Sequence, residues 1–171
     1  MNINKIMLVA IFIFITSISF SAKSLEIFFS NELKLNINPH KVAHNGNLII
    51  LKFDDFVLTH EIVDPKNFIP TVDLTGNTET FMSSLFDIKT RQELPIWLAK
   101  LSESTSASFN IESKNTSIED LGKIKLYFSY NDNEEHGVIL ILNGGEVHWF
   151  SVMGEKNDFN NIVKLLKPEF R

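Results

Sequence analysis

The sequence predicts an α+β fold, with one antiparallel sheet and helices packed on one of its faces. Three observations lead to this prediction. Apolar residues alternate with a period of two near both ends of the chain, recur with a helical period in the middle, and form one apolar stripe close to the C-terminus. Strands grouped apart from helices are typical of α+β proteins, whereas α/β proteins alternate the two.

The first residues predict an export signal. Lys5 precedes the apolar run from Ile6 to Phe20, which only hydroxyl residues interrupt. Its fifteen residues suit the hydrophobic region of a signal peptide, about 7–15 residues long, better than a membrane span of about 20. Small residues favour cleavage after Ser21 or after Ser24. We expect residues 1–21 to be a signal peptide, with an uncleaved N-terminal anchor as the alternative.

Composition narrows the classes of function. The chain has 16 basic residues, 21 acidic residues and no cysteine, and removal of residues 1–21 leaves 15 basic residues. This acidity argues against binding of nucleic acid, which requires clustered Lys and Arg. Without disulfides, an exported domain depends on its apolar core. Residues 25–171 contain no repeat or linker and predict a single α+β domain in the periplasm or outside the cell.

The first part of this domain predicts strands. Leu33, Leu35 and Ile37 alternate with polar residues within two short extended pieces. The runs LIILKF and FVLTHEIV flank Asp54 and Asp55 and predict a β-hairpin. Two segments rich in turn residues, NPHKVAHNGN and DPKNFIPTVDLTGN, predict a connection and a loop.

The period then changes to that of a helix. Phe81, Leu85 and Ile88 lie at i, i+4 and i+7, which predicts a helix of about ten residues. Asn77 or Thr78 suits its N-cap, because a short polar side chain there accepts a hydrogen bond from a free backbone N–H.

A second, short helix is predicted to follow. Pro95 suits its first turn, and Trp97, Leu98 and Leu101 form its apolar stripe. The segment SASFNIES then predicts extended structure. The segment NTSIEDLG predicts one helical turn that ends at Gly122.

The last third predicts a meander and a closing helix. KIKLYFSY alternates, VILIL is apolar on both faces and predicts a central strand, and NGG is a turn that leads into EVHWFSVM. Phe159, Ile162, Val163 and Leu166 form the apolar stripe of a helix packed on the sheet.

This order of elements resembles the Mog1/PsbP-like fold, whose exported bacterial members include the DcrB-type envelope proteins. The stretch VHWFSVMGEKNDFNNIVKLL is similar to the last strand and helix of such domains, and the resemblance spans about residues 25–170. It implies a Mog1/PsbP-like sandwich with a binding or adaptor function. Because that fold has no signature catalytic motif, it assigns a role to no residue.

Two histidines have a spacing that could chelate a metal ion. His40 and His44 lie at i and i+4, but Pro39 and Gly46 on either side argue against the helix that would bring them together. The prediction is two exposed loop histidines and no metal site. A metal-binding periplasmic protein stays open as an alternative.

The other histidines are predicted to be structural. His60 and Glu61 are neighbours on a strand and therefore point to opposite faces. His136 follows Glu134 and Glu135 in a polar loop, which predicts solvated charges. His148 shares a face with apolar residues, which predicts a partly buried, hydrogen-bonded side chain.

Motifs for catalysis are missing from the sequence. The lack of cysteine excludes thiol chemistry, and GxSxG, SxxK, GxxxxGK and GxGxxG do not occur. Ser83 and Ser84 fall in the first predicted helix, and the run 102–108 is simply polar. Asp54, Asp55 and Asp64 are the remaining candidates for acid–base chemistry, and an Asp pair at a hairpin tip is ordinary turn chemistry. We expect no enzyme and no cofactor.

One stretch predicts a surface for a partner, because it mixes acidic and apolar residues in and around a long loop. The predicted surface consists of Asp54, Asp55, Phe56, Phe68 and Ile69. Trp97 and Trp149 lie on apolar stripes and are predicted to belong to the core.

The sequence therefore predicts an exported, non-enzymatic periplasmic protein that binds another protein of the cell envelope, as an accessory or adaptor. One alternative is an immunity protein that neutralises an exported toxin. Another is a hydrolase whose site is assembled from scattered residues. We expect no nucleic-acid partner, and contact with a membrane only if the N-terminal segment is not cleaved.

Overall fold

The computed structural model describes residues 25–29, 33–69, 71–122 and 124–167. Its strands are β1 Leu25–Phe28, β2 Lys34–Ile37, β3 Lys41–Asn45, β4 Leu48–Lys52, β5 Val57–Ile62, β6 Thr116–Asp120, β7 Ile124–Asn131, β8 His136–Asn143 and β9 Glu146–Met153. Its α-helices are α1 Thr78–Ser84, α2 Ile88–Gln92, α3 Ile96–Ser108 and α4 Lys156–Leu166, with a 3₁₀ turn at Ser113–Asn115. The predicted signal peptide lies outside the described residues.

The strands form a seven-stranded sheet and a separate hairpin. The order in the sheet is β3-β4-β5-β9-β8-β7-β6, with β1 and β2 paired to each other, and every pair is antiparallel. Two runs of consecutive strands, β3–β5 and β6–β9, are joined where β5 pairs with β9. The α+β fold with an antiparallel sheet is therefore confirmed.

The sheet is covered by a layer on each side. One side, the helical face, packs α1 and α3 over residues such as Leu140 and Trp149, and α2 contacts these two helices. The other side, the hairpin face, packs α4 and the β1–β2 hairpin over residues such as Ile139 and Phe150. The prediction of helices on one face was incomplete, because α4 lies on the face opposite the other helices.

Strand β8 explains why both layers are needed. Val138, Leu140 and Leu142 point to the helical face, and Ile139 and Ile141 point to the hairpin face. All five are buried, as predicted from the run VILIL. Full burial of one such side chain stabilises the fold by about 1.5–3 kcal/mol, so a sheet open on either side of β8 would lose several of these contributions.

Helix α4 was predicted correctly. Phe159, Ile162, Val163 and Leu166 are all buried on the hairpin face. The helix is held at its start by Lys156, whose Nζ donates to Asp132 Oδ2 in the β7–β8 loop at 2.8 Å.

Two edge strands were not predicted. The segment NPHKVAHNGN contains β3, which pairs with β4 through a turn at Gly46 with φ 60°, a conformation that suits glycine. The segment NTSIEDLG contains β6, not a helical turn, and β6 pairs with β7. Every residue of β3 is exposed and β6 is mostly polar, so neither strand shows the apolar alternation that identifies a half-buried strand.

The helical layer also differs from the prediction. Helix α1 ends at Ser84, and Ile88 begins α2 with 45% of its surface exposed. Helix α3 continues to Ser108, through a segment predicted to be extended. Trp149 is in the core as predicted, but Trp97 is 60% exposed. Pro95 directly precedes α3, and the helical path then turns Trp97 away from the buried side where Leu98 lies.

We predict that Gly137→Ala destabilises the fold by about 1–3 kcal/mol, because a Cβ at this position would lie 2.2 Å from Phe159 Cδ2 and displace α4. Urea denaturation followed by circular dichroism measures the loss. Asn160→Ala, on the exposed side of α4, is the control and should leave the free energy of unfolding within about 0.5 kcal/mol of wild type. Equal midpoints for G137A and N160A would contradict the close packing of Phe159.

Candidate functional site

Part of the helical face is left uncovered. The helices pack on the β6–β9 half of this face, where Val147 and Trp149 are buried. On the β3–β5 half, and at the far ends of β8 and β9, the side chains on the same face are half-buried or exposed. We call the two rows of this region farthest from Trp149 the open face; it consists of Lys41, Ala43, Ile50, Lys52, Val57, Thr59, His136, Ser151 and Met153, whereas Asn45, Leu48 and Glu61 form the next row, in register with Trp149.

Strand register shows that these residues are neighbours. Thr59 pairs with Ile50 on one side and with Ser151 on the other. Val57 pairs with Lys52 and with Met153. Directly opposed residues of an antiparallel pair lie on the same face of the sheet, so the open face is continuous across five strands, from β3 to β8.

The open face combines apolar and positively charged side chains. Met153 is 50% exposed, and Ile50 and Val57 are half-buried. Lys41 and Lys52 are directly opposed across β3 and β4, and both are exposed. Like charges in this position are unfavourable, and within the described part of the chain neither lysine forms an ion pair. The two lysines make one rim of the open face positive although the whole chain is acidic.

His136 lies at the edge of the open face and contacts a serine. Its Nε2 is 2.7 Å from Ser151 Oγ. Burial lowers the pKa of His136, against an opposing effect of the Glu134 carboxylate, so the ring is neutral near pH 7. The prediction of a solvated loop histidine is therefore corrected: His136 is the first residue of β8 and is half-buried.

This histidine–serine contact lacks the further parts of a hydrolytic site. Such sites orient the second ring nitrogen with an acid and place donors for an oxyanion beside the serine. Among the residues that the structure describes, no carboxylate hydrogen-bonds to the second ring nitrogen of His136. The pair is a polar patch within the open face.

Two other histidines, His60 and His148, form a pair that is buried on the hairpin face. His60 Nε2 and His148 Nδ1 lie 3.1 Å apart and link β5 to β9. The ring of His60 packs between Phe29 and Phe150, at centroid distances of 4.3 and 4.5 Å. His148 is hydrogen-bonded as predicted, and its burial is complete. Glu61 lies on the other side of the sheet, opposite Trp149, as the strand alternation predicted.

The buried pair is held in its neutral form. Burial, reinforced by repulsion from His148, lowers the pKa of His60 from 6.5 to about 3. Burial also lowers the pKa of His148, although Glu146 Oε2 lies 3.3 Å from its Nε2 and favours the charged ring. Burial prevails because the Glu146 side chain is about half exposed and its charge is screened by water.

The two outer ring nitrogens of this pair are poorly satisfied. Within the described residues, His60 Nδ1 has no hydrogen-bond partner, and His148 Nε2 has only the 3.3 Å contact with the Glu146 carboxylate, whose geometry falls short of a hydrogen bond. No group of three or more His, Cys, Asp or Glu in that part of the chain is arranged to hold a metal ion. The pair is a buried, weakly satisfied contact that depends on both rings staying uncharged.

The structure does not bring the predicted partner residues together. Asp54 and Asp55 are exposed at the β4–β5 hairpin tip, and Phe56 stacks on Phe53 there at 4.1 Å. Phe68 and Ile69 pack against the helical layer beyond the other end of β5. A strand of six residues is about 20 Å long, so these two groups do not form one continuous surface.

The other residues considered in the sequence analysis, as a possible metal pair or as acid–base groups, are also apart. His40 pairs with Asp54 at 2.6 Å, whereas His44 is exposed on β3. Asp64 is in the turn after β5, where its carboxylate accepts from the backbone N–H of Lys66.

Comparison of the chain with protein-family models, with curated proteins and with solved structures finds no match. The resemblance to the Mog1/PsbP-like fold therefore stays a prediction. In residues 25–29, 33–69, 71–122 and 124–167, no helix has the length and apolar character needed to cross a bilayer.

We predict that acid destabilises the protein through the buried histidine pair. In the unfolded chain these histidines bind protons near pH 6.5, whereas in the folded chain they bind them only at lower pH. The free energy of unfolding is therefore at its full value above about pH 7 and falls as the pH drops below 6.5. Each group contributes a slope of up to about 1.4 kcal/mol per pH unit. Urea denaturation at several pH values between 7.5 and 4.5 measures it.

The variant His60→Gln tests the origin of this slope, because glutamine does not titrate and its amide can still donate to His148 Nδ1. H60Q should lose stability on acidification more slowly than wild type, by about 1 kcal/mol per pH unit. His44→Gln, exposed on β3, is the control and should follow wild type. Parallel curves for wild type and H60Q would contradict the assignment.

Proposed function

We propose that this chain is an exported, non-enzymatic protein of the cell envelope that binds another protein through the open face. The observation that carries the proposal is the uncovered half of the helical face, where aliphatic side chains stay accessible beside two lysines that form no ion pair with any described residue. Exposed apolar surface rimmed by polar residues marks sites of interaction with other molecules.

The charges of the open face indicate the chemistry of the partner. Lys41 and Lys52 form a positive rim, and Ile50, Val57 and Met153 form the apolar part beside it. The matching surface on the partner protein is apolar, with acidic residues at one edge. Opposite charges at the rim speed the encounter of two proteins and fix their register, while the buried apolar part supplies most of the affinity.

The titratable groups support binding over catalysis. His60 and His148 are closed to solvent, so a substrate does not reach them. Among the side chains of the described residues, His136 hydrogen-bonds only to Ser151 Oγ. The open face is the exposed surface of an antiparallel sheet, which suits a protein surface better than a small substrate, because a small substrate needs a concave pocket.

We predict that Lys52→Glu and Met153→Asp each weaken partner binding at least about tenfold, since one reverses the charge of the rim and the other places a charge in the apolar part. The wild-type protein is used to isolate the partner from envelope extract, and the affinity for the purified partner is then measured by calorimetry. K52E should also reduce the dependence of the affinity on salt concentration.

Val42→Asp is the matched control for these variants. Val42 is 55% exposed on β3 but lies on the hairpin face, and V42D should bind the partner like wild type. The proposal is wrong if K52E and M153D retain wild-type affinity, or if V42D is the variant that loses it.

Export gives a separate prediction. Expressed in a bacterial host from its full sequence, the protein should appear in the periplasmic fraction with a mass that begins at Ala22 or at Leu25. Intact-mass spectrometry of the fraction measures this. Replacing Ile13 by Arg breaks the apolar run and should leave the full-length chain in the cells. A full-length cytosolic product from the wild-type sequence would contradict export.

A further inference from the structure

Arg91, a residue of α2, is hydrogen-bonded to the C-terminal end of α1. Its Nε is 3.0 Å from the Ser84 carbonyl oxygen, and its Nη2 is 3.1 Å from the Leu85 carbonyl oxygen. Both acceptors are at the C-terminal end of α1, where backbone carbonyls are unsatisfied and a positive charge is favoured. This anchoring fixes the position of the guanidinium group.

Three buried serines hydrogen-bond to Arg91, to each other or to the same carbonyl groups. Ser84 and Ser102 are fully buried, and their hydroxyl oxygens are 2.7 Å apart between α1 and α3. Arg91 Nε also lies 3.2 Å from Ser102 Oγ. Ser106, one turn further along α3, lies 2.8 Å from the Leu85 carbonyl oxygen. These serines looked simply polar in the sequence, but they form the polar contact between two helices.

The positive charge of Arg91 is not neutralised. Within the described part of the chain it forms no ion pair. The contacts above engage its Nε hydrogen and one Nη2 hydrogen, so three of its five N–H donors remain. Two acidic residues line the same cleft as Arg91: Glu112 is paired with Lys114 at 2.7 Å, and Glu103 forms no ion pair with a described residue.

Arg91 lines a cleft large enough for a small molecule. The cleft has a volume of about 590 Å³, within the usual range of about 300–1,000 Å³ for ligand sites. Its apolar lining residues are Leu85, Phe86, Ile88, Ala107 and Ile111. The exposure of Ile88, which begins α2, follows from its place in this cleft.

We propose that this cleft binds an apolar molecule that carries a single carboxylate. The carboxylate is held by the remaining donors of Arg91, in the bidentate geometry that guanidinium and carboxylate share, and the apolar chain lies along the cleft walls. Glu103, Glu112 and Lys114 also line the cleft, and the two carboxylates repel a doubly charged anion such as a phosphate ester more strongly than a single carboxylate. This site is separate from the open face and does not depend on the proposed function.

Calorimetry with three ligands of one chain length tests the class of ligand. Octanoate should bind, and octanamide should bind at least about tenfold more weakly, because it lacks the charge that strengthens the hydrogen bonds to Arg91. Octyl phosphate should also bind more weakly than octanoate. Equal affinity for octanoate and octanamide, or no binding of octanoate at millimolar concentration, would overturn the proposal.

Two variants test whether the ligand binds in the cleft. Both leave Arg91 unchanged, because Arg91 also hydrogen-bonds to the end of α1 and its loss would disturb the fold. Ala107→Trp fills the cleft from an exposed position of α3, and Ile88→Asp sets a negative charge beside Arg91. Both should reduce octanoate affinity at least about tenfold. Ile96→Asp, 80% exposed and outside the cleft, is the control and should bind octanoate like wild type. Wild-type affinity in both A107W and I88D would overturn the proposal.

A further comparison separates two sources of the carboxylate. A free-acid tripeptide of leucine and phenylalanine presents the same chemistry as octanoate, and its C-terminal amide lacks the charge. Tighter binding of the peptide acid identifies a peptide C-terminus as the source, and tighter binding of octanoate identifies a fatty acid. Both results support the proposal, whereas measurable binding of the peptide acid and of its amide with equal affinity counts against it. K52E and M153D should leave octanoate binding unchanged, so the open face and the cleft are tested independently.

Discussion

Burial of β8 on both faces is the constraint on which this structure depends. A strand whose side chains are apolar in both directions needs a cover on each side of the sheet. The chain supplies α1 to α3 on one side and the β1–β2 hairpin with α4 on the other. Cover is most extensive over the central parts of β7, β8 and β9, leaves the Met153 end of β9 exposed, and thins toward β3, where every residue is exposed. The open face therefore exists because the helices on this side cover only the β6–β9 half of the seven-stranded sheet.

The sequence predicted the elements whose apolar pattern is regular. The β7–β9 meander, the β4–β5 hairpin and α4 all show a clear period, and all three occur as predicted. The missed elements are held by contacts that leave no such pattern. Strands β3 and β6 are edge strands stabilised by backbone pairing, and α3 extends through a serine-rich segment because Ser102 and Ser106 are buried against α1 and the following loop. In each case tertiary contacts outweigh local propensity.

The candidate sites required the three-dimensional structure. The alternation of LIILK and EVHWFSVM shows which residues share a face, but it does not show which half of that face the helices cover. The partner of His148 is 88 residues away in sequence, and the pattern around His60 gives no sign of it. Arg91 gave one signal that the sequence interpretation left unused: it is the only arginine among the described residues, in the middle of a mostly polar helix.

The joining of β5 to β9 has a consequence for how the chain folds. The runs β3–β5 and β6–β9 each consist of neighbours in sequence and can form locally, whereas the β5–β9 pairing brings together residues about 90 positions apart. Closing a loop of this length costs about 4 kcal/mol of chain entropy. Until it closes, β5 and β9 each present a free edge of backbone donors and acceptors, and both carry apolar side chains. Partly folded chains are therefore most prone to self-association at this stage, and a chaperone that shields these two edges would protect them.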